Sequence, residues 1–77
     1  MPDASAPGDN TIEIELNGAR RSVRVGTTVA DLVAETLPGA RAYAVELNRA
    51  VLSRRDHASR TVSSGDRVEI VTLVGGG

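Results

Sequence analysis

One stretch of this chain carries apolar residues at helical spacing: residues 28–37, "TVADLVAETL". Val29, Leu32, Val33 and Thr36/Leu37 fall on one stripe of a 3.6-residue period. Thr28 is placed to cap such a helix, and Asp31 three residues on completes a capping box and complements the helix dipole. Pro38-Gly39 supplies the stop. These signals predict one helix of about 8–10 residues. Almost everywhere else in the ordered part of the chain the apolar residues alternate in twos, which is a strand period. A single helix can cover one face of a single sheet, so the pattern predicts an α+β layer arrangement.

The strands are bounded by turn chemistry. "TIEIEL" places Ile12, Ile14 and Leu16 on one face and Thr11, Glu13 and Glu15 on the other. Asn17-Gly18 follows, a pair that takes positive φ cheaply, and "RRSVRV" returns with Val23 and Val25 expected inward; together they predict a hairpin. After the helix, "YAVELN" aligns Tyr43, Val45 and Leu47. Asn48-Arg49 then reads as a two-residue turn into "AVLS", a short fourth strand. "RRDHAS" is polar and reads as a loop or a single turn of helix, with Val62 expected to plug the core from the connection. "SSGD" makes a turn into "RVEIVTL", where Val68 and Ile70 face inward while Glu69, Val71 and Leu73 face out. A strand with apolar residues on both faces is expected at the centre of its sheet, and its outer apolar residues suggest a partner surface. No internal repeat or domain linker interrupts this order.

Composition narrows the function classes. At 77 residues the chain is one small domain, in the size range where one core is only just sufficient. Tyr43 is its one aromatic residue, so the core must be built from Val, Ile, Leu and Ala. The absence of cysteine excludes disulfides, thiolate zinc sites and a thiol nucleophile, and the single histidine leaves little for a metal site. This inventory argues against multi-residue catalytic machinery. A formal charge of −1 gives no strong pull toward nucleic acid or membrane. No apolar run approaches the ~20 residues of a membrane span. The N-terminus lacks the basic-then-apolar pattern of a secretory signal, and a cytoplasmic protein is the expectation. All nine basic residues are arginine. Codon-driven composition explains that bias more simply than avoidance of amines by an activated terminus.

The two ends differ from the middle. Residues 1–10, "MPDASAPGDN", hold two prolines and no large apolar residue after Met1, and are expected to form a disordered tail. The folded domain is expected over 11–74, and residues 75–77 are three glycines expected to be a flexible tail.

Several stretches carry a resemblance that spans nearly everything from Thr11 onward: "LNG" at 16–18, "GTTVADLV" at 26–33, "VELNRAVLSR" at 45–54 and "GDRVEIVTLVGGG" at 65–77. Together they resemble the ubiquitin-like β-grasp proteins, and among these the ThiS family of sulfur carriers for thiamine biosynthesis. The last stretch is the most specific, joining a Gly-Asp turn, a Val-Glu-Ile-Val strand and a terminal diglycine. The MoaD-type carrier tends to approach its diglycine with aromatic and proline residues, whereas "VTLV" here favours ThiS. The first ten residues make a longer N-terminal extension than most members have. The resemblance implies a mixed sheet of four to five strands packed on one helix.

It also implies a chemistry located at the terminus. The Gly77 carboxylate would be adenylated by a ThiF/MoeB-like enzyme using ATP and Mg²⁺. A sulfur donor such as a cysteine desulfurase would then convert it to a thiocarboxylate that supplies thiazole synthase. On this reading the protein is a cosubstrate, with no catalytic residue and no bound cofactor or metal of its own, and is a monomer when free. Gly75 and Gly76, lacking Cβ, would thread the partner's channel. Val71, Leu73 and Val74 would form the docking surface, with Leu47 or Leu52 as further candidates depending on register. Other readings stay open: a carrier for cysteine, molybdopterin, tRNA thiolation or a secondary metabolite; a ubiquitin-like modifier joined through Gly77 to lysines; or an interaction module.

Remaining candidates have plainer readings. His57, with no second histidine or cysteine, reads as a surface loop residue. Arginines 20, 21, 24, 54, 55 and 60 read as a solvated face, balanced by acids and without an aromatic platform for nucleic acid. Docking of those arginines to an acidic groove on an adenylating enzyme is the more specific alternative. Tyr43 is expected at the helix–sheet boundary with its hydroxyl in water. Asn17-Gly18 and Asn48 read as turn residues.

Overall fold

The computed structural model describes residues 10–73. Five strands and one helix follow in the order β1 (Thr11–Leu16), β2 (Ala19–Arg24), α1 (Val29–Thr36), β3 (Tyr43–Leu47), β4 (Ala50–Val51) and β5 (Arg67–Thr72), with a single 3₁₀ turn at Arg54–Asp56. The sheet order is β2-β1-β5-β3-β4, so the last strand lies at the centre. β5 runs parallel to β1 and antiparallel to β3, while the two hairpins are antiparallel. This is the expected α+β sheet with one helix, at the upper end of the expected strand number.

The alternation read from the sequence sets the core. Ile14, Leu16, Val45, Leu47, Val68 and Ile70 from the sheet meet Val29, Leu32 and Val33 from α1, and Val62 closes the cluster from the connection. Val29 and Val68 are fully enclosed, at 0% exposure. With no large aromatic available, the layer is filled by branched aliphatic side chains, whose burial supplies the main favourable term.

Both hairpin turns have positive φ at their two central residues: Asn17 (50°) and Gly18 (85°), then Asn48 (52°) and Arg49 (72°). That is the backbone hand which matches strand twist in two-residue hairpins. Each asparagine also does more than turn the chain. Asn17 Oδ1 accepts from the Ile70 amide at 2.8 Å, extending the contact of β1 with β5 beyond the end of the strand. Asn48 Oδ1 accepts from the Arg67 amide at 2.8 Å, and its Nδ2 donates to Asp66 Oδ1 at 3.0 Å. Asp66 is buried, and its second oxygen accepts from the Ser63 amide at 2.8 Å. Both turns are thereby tied to the central strand.

The capping box forms as expected: Asp31 N–H donates to Thr28 Oγ1 and Thr28 N–H to Asp31 Oδ2, each at 3.0 Å. The other leading amides of α1 are met by the chain itself, Val29 on the Arg60 carbonyl and Ala30 on the His57 carbonyl, both at 2.9 Å. The helix N-terminus therefore has no open donors for an anion.

Three expectations are corrected. Val25 is 63% exposed rather than inward, because β2 ends at Arg24 and Gly26 (φ 96°) turns the chain away. The fourth strand is shorter than "AVLS", since only Ala50 and Val51 pair with β3. His57 is not a surface loop residue: it is 5% exposed, with Nε2 against the Leu52 carbonyl at 3.2 Å and its ring 5.8 Å from that of Tyr43.

Candidate docking face at the end of the central strand

The helix covers one face of the sheet and leaves the other open. Register determines which side chains gather there. Along β5, burial of Val68 and Ile70 turns Glu69 and Val71 to the open face. Ala44 lies opposite Val71, Glu46 lies opposite Glu69, and Val51 lies on the other side of Glu46. Val51 is 75% exposed, Val71 51% and Leu73 53%, three of the four large apolar residues left in solvent among the described residues.

The charges on this face are not uniform. On the β1–β2 half, Glu13 pairs with Arg20 at 3.8 Å, and at the junction Glu15 pairs with Arg67 at 3.7 Å. On the β5–β3 half, Glu46 and Glu69 are cross-strand neighbours with no ion-pair partner among the described residues. The open face thus divides into a charge-neutralised half and a half that is apolar and acidic.

This second half adjoins the point where the chain leaves the sheet. Thr72 is the last paired residue of β5, opposite Tyr43, and the Leu73 amide donates to the Ala42 carbonyl at 3.0 Å. Tyr43 in turn contacts the His57 ring, and the Arg54 guanidinium lies 4.2 Å from its centroid. Arg54 also donates to the Arg41 carbonyl at 2.6 Å. The end of the central strand is therefore anchored by the chain's only aromatic residue.

Of the residues singled out from sequence, Val71 and Leu73 lie exposed beside this exit, while Val74, Gly75, Gly76 and Gly77 lie outside the described residues. Leu47 is not a docking residue: its register with Val68 turns it into the core at 6% exposure. Leu52 is half-buried and packs against the core. Local sequence does not single out Glu46, Glu69 or Val51. Period two on β3 and β5 gives their facing, but only strand pairing brings them together. Among the arginines, Arg20 and Arg21 are engaged with Glu13 and Glu35, and Arg54 with Tyr43. Among the described residues no group of three or more His, Cys, Asp or Glu is placed to hold a metal, and no helix is long and apolar enough to cross a membrane.

A mixed five-stranded sheet with one helix across it and a central C-terminal strand defines a ubiquitin-like β-grasp protein. The model of the ThiS family matches residues 10–77, and the chain belongs to that family of small sulfur carriers. The crystal structure of the thiamine biosynthesis protein ThiS from Geobacter metallireducens is similar, with a TM-score of 0.72 and 33% identity, covering 86% of this chain and 100% of that one. Two curated relatives, thiazole synthases from Paramagnetospirillum magneticum and Magnetococcus marinus, are each 33% identical over 66 residues. That segment is 86% of this chain, which spans only 20% of either relative's length.

Proposed function

We propose that this chain is a protein-borne cosubstrate whose Gly77 carboxylate carries sulfur to thiazole formation. The observation that carries the reading is the family match running through residue 77, on a fold whose central strand leads directly into that terminus. A carboxylate is a poor electrophile, so its oxygen must first become a leaving group. Attack of the carboxylate on the α-phosphorus of ATP, in a Mg²⁺-dependent adenylating enzyme, expels pyrophosphate and leaves an acyl-adenylate. The terminal sulfur of a persulfide donor, such as one on a cysteine desulfurase, then attacks the acyl carbon and expels AMP. A second thiol cleaves the resulting acyl disulfide, releasing the thiocarboxylate, and the two donor sulfurs leave as a disulfide. Ionised sulfur is the better nucleophile, which suits it for delivery to an electrophilic acceptor.

Thiazole synthase as the acceptor is supported by the two relatives of that name, in which a segment like this chain makes up about a fifth of the protein. Joined in one polypeptide, such a segment and the remainder meet at high effective concentration.

Intact mass after incubation with adenylating enzyme, ATP and sulfur donor tests the reading. The expected result is replacement of one terminal oxygen by sulfur, and a product that then gains one alkyl group from a thiol-selective alkylating agent, which a chain oxidised at Met1 would not. Gly77 recovered in isopeptide linkage to lysines would instead indicate a modifier.

A further inference from the structure

The two edges of the sheet differ. β4 gives its edge only two residues, whereas β2 presents six, with no strand beyond it. A two-residue hairpin closes on a hydrogen-bonded pair, here Leu16 and Ala19, and bonded pairs then alternate with unbonded ones. Arg21 and Val23 therefore direct their backbone groups at β1, a series that the Val25 amide continues onto the Asn10 carbonyl at 2.8 Å. Arg20, Ser22 and Arg24 direct theirs outward. Of these outward groups the Arg24 carbonyl accepts from the Thr27 amide at 3.1 Å, and the others face the open edge. Beside this edge, between β2 and α1, lies a groove of about 310 Å³ lined by Val23 and Leu32 and by Arg21, Arg24, Asp31 and Glu35. Its two acids are engaged, Asp31 in the helix cap and Glu35 with Arg21. Arg24 has no ion-pair partner among the described residues, and Arg20 reaches only Glu13, at 3.8 Å.

We propose that the β2 edge binds an extended segment of a partner protein in which acidic residues alternate with apolar ones. The segment adds as a sixth strand, its backbone pairing with the outward groups of Arg20, Ser22 and Arg24. Its apolar residues enter the groove beside Val23 and Leu32, and its acids lie against Arg20 and Arg24. Period two requires that alternation, because Arg20, Ser22 and Arg24 stand on one face of β2 and the half-buried Arg21 and Val23 on the other. Charge complementarity selects this occupant. β2 carries three arginines and no acid, and opposite charges facing across strands stabilise a sheet, whereas like charges destabilise it. The same arginines deter a second copy of this chain: the fullest two-fold pairing, centred on Ser22, sets Arg20 of each copy against Arg24 of the other. The proposal does not rest on the carrier reading. β2 lies two strands from β5, about 10 Å across the sheet, so the edge stays open while the terminus is held elsewhere.

The test is titration of the full, isotopically labelled chain with the acetylated and amidated peptide Glu-Val-Glu-Val-Glu-Val-Glu, followed by amide chemical shifts at two ionic strengths. The expected result is saturable shifts at Arg20, Ser22 and Arg24, half-maximal below about 1 mM and weaker at higher salt. Exchange of the Ser22 and Arg24 amides with solvent should slow in the complex. The analogue with lysine in place of glutamate should bind at least ~10-fold less tightly. So should Glu-Pro-Glu-Pro-Glu-Pro-Glu, which keeps the charge and cannot pair as a strand. Arg20→Gln/Arg24→Gln should weaken binding of the first peptide by ~3-fold or more. Ser22→Pro, which removes an outward amide and leaves the bonds to β1, should do the same. The two peptide analogues act on the unaltered chain, so the outcome does not depend on the folding of either variant. Equal binding of the lysine or the proline analogue would overturn the proposal. So would the lack of saturable shifts at β2, shifts centred on the open sheet face instead, or sedimentation showing the β2 edge paired with a second copy.

Discussion

Asn48 shows how much one polar side chain contributes to this small fold. Its backbone takes φ 52°, its carbonyl oxygen accepts from Arg67, and its amide donates to the buried carboxylate of Asp66. Asn48→Gly keeps the turn conformation and removes both side-chain bonds, so it should lower unfolding free energy by about 1–2 kcal/mol in a urea titration. His57 behaves as a core residue despite its polar surroundings in sequence. The Leu52 carbonyl needs a donor, so Nε2 carries the proton, and Nδ1 is buried without a partner. His57→Ala should cost roughly 2–4 kcal/mol by leaving a cavity under Tyr43, while exposed Arg55→Ala should stay within about 0.5 kcal/mol. Thermal melts of the two variants read the difference. The turn role of Asn48 was legible because turn residues act locally. The burial of His57 was not, since it depends on where the 53–62 connection lies against α1 and Tyr43.

Helix and strands respond to different information. α1 is specified by its own residues, and Thr28→Ala should remove the capping bond to Asp31 at a cost of about 0.5–2 kcal/mol, measurable by denaturant titration. β3 and β5 are specified by period two as to facing, but their pairing comes from the assembled sheet. The cross-strand carboxylates are a product of that pairing. Glu46→Gln/Glu69→Gln should therefore raise the stability of the free chain by about 0.2–1 kcal/mol in a denaturant titration. A fall in melting temperature would show that the carboxylates do not repel in the free chain. Strand ends were the least legible: Val25 fits the alternation of β2 and its amide still donates to the Asn10 carbonyl, yet it lies past the last strand residue and its side chain is left in solvent.

Taken together, the fold holds one strand end at the middle of its sheet and leaves the face beside it uncovered. Deleting Gly77 should abolish thiocarboxylate formation, read by intact mass, and leave the melting temperature unchanged within about 1 °C, because the last described anchor of β5 is the Leu73 amide on Ala42. The number and type of elements, the core stripe of α1, both asparagine turns and the importance of the terminus follow from local periodicity, capping and motif, which neighbouring residues encode. The central place of β5 was inferable from its two apolar faces. The assignment of Leu47 to the core, the enclosure of His57 and the meeting of Glu46 with Glu69 were decided only by tertiary structure. Each depends on which residues from distant parts of the chain become neighbours, and sheet register, which no local preference specifies, makes that choice.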